Sequence, residues 1–268
     1  MSETHFAQIT TRFTRDISLG LDRMAFWMHL ARQDVSLQYA RSAIGPFWVT
    51  LTMALQLVAL TFLFTGLFRA PVEIIAPWVT IGVIIWTFMS ASLNEAATIL
   101  PFNKPYLLEA ETSITGFVIS VIVKNAIIAA HHSILIVLAF IWLAIPPSWT
   151  WMWLFVSLPL IVLFTIGLGV ALAIVTTRFR DIQRITESFL MIGFFLTPVL
   201  WRPQELVSNE FIATYNPFTH LIALVRDPLI GQNPTGLAWT VSLGSTAAVI
   251  IIAIYAIARY RNKVQFWL

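Results

Sequence analysis

The chain has 268 residues, of which 58% are hydrophobic and 11% charged, and its 16 Lys and Arg against 13 Asp and Glu leave a net charge of +3. A typical soluble domain carries about 25% charged residues, so a soluble fold is excluded, and the small positive excess requires no nucleic-acid partner. With no cysteine there is no disulfide framework, thiolate metal site or cysteine nucleophile.

Residues 1–46 carry Glu3, Arg12, Arg15, Asp16, Asp22 and Arg23 without an early apolar core, which is unlike a cleaved signal peptide. Within them Ile17, Leu21, Met24, Met28, Ala31 and Val35 recur at steps of four and three. This spacing predicts an amphipathic helix lying in the cytoplasmic headgroup layer, broken by Gly45 and Pro46. Residues 1–46 are therefore read as a cytoplasmic amphipathic segment and 47–268 as the transmembrane domain.

Phe47 opens an uncharged run, FWVTLTMALQLVALTFLFTGLF, that ends at Phe68. About 20 apolar residues in a helix cross a hydrocarbon core of about 30 Å. On this basis six spans are predicted, at about 47–68, 78–97, 116–145, 153–177, 185–201 and 237–258. The third is too long if counted from Ile114, so its crossing is placed from about Asn125, with Lys124 snorkelling at the cytoplasmic interface. LPFNKPYLLEAETS, Leu100 to Ser113, becomes a cytoplasmic elbow. The stretch from Trp201 to Gly236 alternates apolar groups with turn residues, which predicts two short amphipathic helices dipping into the outer leaflet and returning, a re-entrant segment shielded by protein.

Lys and Arg fix the orientation, because cytoplasmic segments retain them near span ends. Arg12, Arg15, Arg23, Arg32 and Arg41 precede the first span, Lys104 follows the second, Arg178, Arg180 and Arg184 follow the fourth, and Arg259, Arg261 and Lys263 follow the sixth. The opposite loops hold Arg69, Arg202 and Arg226. Both ends of the chain are thus expected in the cytoplasm.

Several chemistries find no support. His131 and His132 are neighbours and point about 100° apart on a helix, with no carboxylate in their span, so packing or interhelical hydrogen bonding accounts for them better than a metal or proton relay. No GxSxG is present. Gly167 and Gly169 lie mid-span without a following Lys-Ser or Lys-Thr, which favours close helix packing over a phosphate loop. Spans one, four and six are uncharged, unlike the midplane carboxylates of ion-coupled carriers. If the chain is a pump, its energy enters from another polypeptide. The positive signal is aromatic, with 11 Trp, 20 Phe and 5 Tyr. Rings lining a path suit a carbohydrate, whose C–H faces stack on them.

Five strings in order carry a resemblance. They are RQDVSLQYARSAIGPFWVTL (Arg32 to Leu51), TTRFRDIQRI (Thr176 to Ile185), LTPVLW (Leu196 to Trp201), NPFTHLIALVRDPLIG (Asn216 to Gly231) and RYRNKVQFWL (Arg259 to Leu268). Together they resemble the membrane subunits of ABC-2 type polysaccharide exporters, which move O-antigen and related glycans. The resemblance implies an all-α integral membrane protein with six transmembrane helices, an N-terminal amphipathic interface helix and a re-entrant external segment between helices 5 and 6. It implies a homodimer in the inner membrane, joined by two copies of a separate ATPase that bind ATP and Mg, with no cofactor on this chain and a lipid-linked polysaccharide moving outward. Phe64, Phe68, Phe194, Phe195, Trp201, Tyr215 and Phe218 are then candidates for an aromatic lining. Lys104, Glu109, Glu111, Arg178, Arg180, Asp181 and Arg184 are candidates for coupling to the ATPase. An ABC-2 exporter of drugs or small lipids, and a membrane-embedded glycan- or lipid-modifying enzyme, are the alternatives.

Overall fold

The computed structural model describes residues 13–39, 47–109, 112–203 and 210–268, and all regular structure among them is helical. Helix α1 covers residues 13–22 and α2 Met24–Tyr39. α3 is Phe47–Phe68, α4 Val72–Phe102, α5 Lys104–Glu109 and α6 Ile114–Trp142. A 3-10 turn, Trp149–Trp153, leads into α7, Leu154–Arg178. α8 is Asp181–Leu196, α9 Glu210–Tyr215, α10 Pro217–Leu229 and α11 Gly236–Trp267. Among the described residues five helical stretches are long and apolar enough to cross a membrane: α3, α4, α6, α7 with its 3-10 turn, and α11. The chain is a multi-pass membrane protein.

Helix α4 forms the centre of the bundle, with 72% of its most apolar stretch buried, while α3 is peripheral at 11%. Small residues set the close crossings. A methyl on Gly167 would meet Val249 and the Ile250 backbone of α11 at 3.0–3.1 Å, and one on Gly169 would meet Val118 and Ala96 at 3.1–3.2 Å. The packing role expected for these two glycines is the one they have.

The ends of α7 and α11 coincide at both extremes. At one end Trp153 packs against Trp239 with ring centroids 5.5 Å apart. At the other the Arg178 guanidinium lies 5.5 Å from the Trp267 ring. The two helices therefore run parallel, and residues 179–235 bring the chain back from the second end to the first.

Boundaries differ from expectation for local reasons. The chain turns from α3 to α4 in three residues, with Arg69 in the left-handed region at φ 50° and Pro71 at the N-cap. Helix α4 consequently starts before Pro77, within what reads as a loop, and runs on through Pro101. α6 begins at a true N-cap, the Ser113 hydroxyl accepting from Gly116 N. It ends with Ala144 at φ 52° while Ile145 N donates to Phe140 O at 2.9 Å, a closure that satisfies the last carbonyls. The basic tail continues α11 as helix to Trp267.

Candidate functional site

The helix ends at the Arg178 side of the bundle gather the basic residues. A cavity of about 380 Å³ is lined there by Thr98 of α4, Lys104, Thr177, Arg180, Gln183 and Trp267, among others. Lys104 and Arg180, from segments far apart in sequence, thus share one wall. Arg180, Asp181 and Arg184 are exposed around the α7–α8 corner, and Lys104 Nζ donates to Leu268 O. Arg178 lies against both Phe179 and Trp267 at 5.6 and 5.5 Å. The Glu109 side chain and Glu111 lie outside the described residues.

The neighbouring corner is organised by a single carboxylate. Asp16 is fully buried. Its oxygens accept from Ser113 Oγ, Ile114 N and Thr115 N at 3.0–3.1 Å and from Arg261 Nε at 3.1 Å. An anion belongs at the N-terminus of α6, where free N–H groups and the helix dipole favour it. Arg261 also donates to Thr112 O, so one buried ion pair ties α1, the elbow before α6 and the end of α11. Trp27 is buried beside it, donating from Nε1 to Gly20 O and packing edge-on against Phe117 at 4.9 Å. The buried stripe of α1 and α2 is therefore Asp16, Gly20, Trp27, Ala31 and Val35, while Leu21 is exposed.

The aromatic candidates separate by environment. Phe64 and Phe68 are half-buried and pair at 5.5 Å. Phe218 is buried among Trp86 and Phe164, at 5.4 and 5.6 Å. Phe194 touches both Trp86 and Phe195. Phe195 and Tyr215 are exposed. Trp201 Nε1 donates to Phe195 O, and its carbonyl accepts from Trp78 Nε1.

Trp78 anchors a cluster that escaped sequence reading. Arg226 of α10, buried, lies over the Trp78 ring at 3.3 Å and donates to Pro198 O at 2.7 Å. It pins the α8–α9 connection to α10 and α4. The only sequence signal was an arginine inside a strongly amphipathic helix. Lys124 pairs with Glu95 of α4 at 2.5 Å. His131 Nδ1 contacts Ile127 O, and His132 is buried in the bundle. Among the described residues no group of three His, Cys, Asp or Glu could hold a metal ion.

A family model described as "ABC-2 type transporter" matches residues 25–230. The chain is also similar to a protein of Myxococcus xanthus named "O-antigen export system permease protein RfbA", at 25% identity over 201 residues, which covers 72% of this chain and 75% of that one.

Proposed function

This chain belongs to the ABC-2 type transporter family, as a transporter membrane subunit and not an enzyme, and on that premise we propose that it is the permease of an ATP-driven polysaccharide exporter. Its cargo in this reading is a lipid-linked, O-antigen-like glycan taken from the cytoplasmic side of the inner membrane. The observation that carries the substrate is the similarity to an O-antigen export permease across about three-quarters of both chains. Family membership implies an ATPase partner. In the proposed assembly two copies of this chain join two ATPase subunits, which bind ATP and Mg, and this chain binds no cofactor.

Six crossings, with both ends cytoplasmic, fit the parallel course of α7 and α11. The return segment must traverse the same thickness, yet α8 has 16 residues, about 24 Å of helix at 1.5 Å each, short of a core of about 30 Å. Thr197 to Trp201 and the buried α10 complete the passage, with α9 and α10 as the re-entrant segment. The Lys and Arg asymmetry supports the orientation. Lys104, Arg178, Arg180, Asp181 and Arg184, with Glu109 and Glu111, form the proposed coupling surface. Among the aromatic candidates, Phe195 and Tyr215 offer exposed faces to a sugar, and Phe194 packs on Phe195 and, with Phe218, on Trp86.

Cells lacking the chain are expected to lose surface glycan and to accumulate the lipid-linked glycan on the cytoplasmic leaflet, measured by lipid extraction and glycan blotting. Unchanged surface glycan would refute the substrate assignment.

A further inference from the structure

From Val79 to Thr98 of α4, fourteen positions are buried and six are not: Thr87, Ser90, Ala91, Asn94, Glu95 and Thr98. Steps of three and four place these six on one helix face, and five of them are polar. This inverts the pattern of the other outer faces, where α3 exposes Phe62 and Leu63, α8 Phe189 and Ile192, and α11 Ile251 and Ile252. Polar side chains turned to hydrocarbon lose their hydrogen bonds to water without compensation. The α4 face therefore meets something other than lipid tails.

The face has partners at one edge and open capacity elsewhere. Glu95 pairs with Lys124 across to α6, and Ser90 and Thr98 donate to carbonyls of their own helix. The Asn94 side-chain oxygen is itself shielded from solvent and has no hydrogen-bond partner among the described residues. At Thr98 the stripe opens into the cavity shared by Lys104 and Arg180. Two turns beyond Thr87, Thr80 lies on the same face and borders a second cavity of about 440 Å³, whose otherwise apolar lining also holds Thr61 and Thr65 of α3.

We propose that this face of α4 is the wall of a hydrated path, and that Thr87, Ser90, Asn94 and Thr98 touch the hydroxyls of the passing substrate. Neutral hydroxyl and amide groups exchange hydrogen bonds with water and sugar hydroxyls at nearly balanced free energy. Contacts of that kind guide a polyhydroxylated chain without trapping it, as conduction requires. The substrate contact rests on the polysaccharide reading; the hydration does not.

Because the chain has no cysteine, single cysteines at Thr87, Ser90, Asn94 and Thr98 report hydration directly. The protein is placed in nanodiscs open to reagent on both faces, and reaction with a small charged methanethiosulfonate is timed. Cysteines at Ser148 and Asn262 serve as aqueous controls, and one at Ile252 as a lipid-facing control. Thiolates form in water and not in hydrocarbon, so stripe cysteines are expected to react at least about tenfold faster than the Ile252 position. Stripe cysteines as slow as Ile252, with the aqueous controls reacting, would overturn the hydrated path and mean that the face is packed against a second copy. In cells, Ser90→Leu and Asn94→Leu are expected to lose most glycan export at normal membrane levels, while Ser90→Thr and Asn94→Gln retain it. Reactive stripe cysteines combined with undiminished export by the leucine variants would overturn the substrate contact. Failure of the chain to bind any ATPase would instead defeat the export reading and leave the hydration result standing.

Discussion

Replacing Asp16 by alanine is expected to destabilise the protein by about 3–5 kcal/mol, the usual cost of removing one partner from a buried ion pair. The substitution leaves Arg261 without its carboxylate and takes the acceptor from Ser113 Oγ, Ile114 N and Thr115 N together. Asp16→Asn keeps one acceptor oxygen but loses the charge, so it should fall between the two. Thermal denaturation of the purified protein in one detergent, read as the fraction remaining monodisperse, ranks the three. An alanine variant that melts with the parent would show that the carboxylate does not hold this corner.

Gly116→Ala should be as damaging, for a steric reason. The added methyl would stand 2.2–2.6 Å from Cε2, Cζ2 and Nε1 of Trp27, well inside van der Waals contact. The backbone on one side is the first turn of α6, and the indole is fully buried, so the ring has to leave its site. Losing a buried tryptophan's packing costs about 3–5 kcal/mol. Trp27→Leu alone also destabilises, yet the double variant Trp27→Leu, Gly116→Ala should be more stable than Gly116→Ala alone, because the clash is gone. Simple additivity in this double-mutant cycle would contradict the contact.

Sequence patterning located the long helices because length and apolarity suffice when each backbone must satisfy itself in a membrane. It misplaced the α3–α4 turn, since Pro77 and the residues before it read as loop, whereas α4 starts at Val72 and continues through Pro77 at the expense of one backbone hydrogen bond. It closed α11 early, because Arg259, Arg261 and Lys263 mark the membrane edge without ending a helix. Nothing local marks Asp16 as buried: Ser113 and Ile114 lie 97 and 98 residues away in chain order and Arg261 lies 245 away. The Glu95–Lys124 pair is hidden for the same reason. The polar stripe of α4 was invisible to hydropathy, since isolated Thr, Ser and Asn barely lower the mean of a long apolar window, and only burial shows that they share the uncovered face. Lys104 and Arg180 were both legible as basic loop residues; their shared cavity came from the packing of α4, α7 and α11.

The central claim is that the chain works as the membrane half of an ATP-driven exporter. Affinity purification of the full chain from its own cells in mild detergent tests it most directly, with the copurifying polypeptides identified and ATP hydrolysis assayed. An ATP-binding cassette ATPase recovered in equal amount with the chain, and active in the complex, is the expected result. A chain that purifies without any nucleotide-hydrolysing partner, from membranes in which the glycan is still exported, would contradict it.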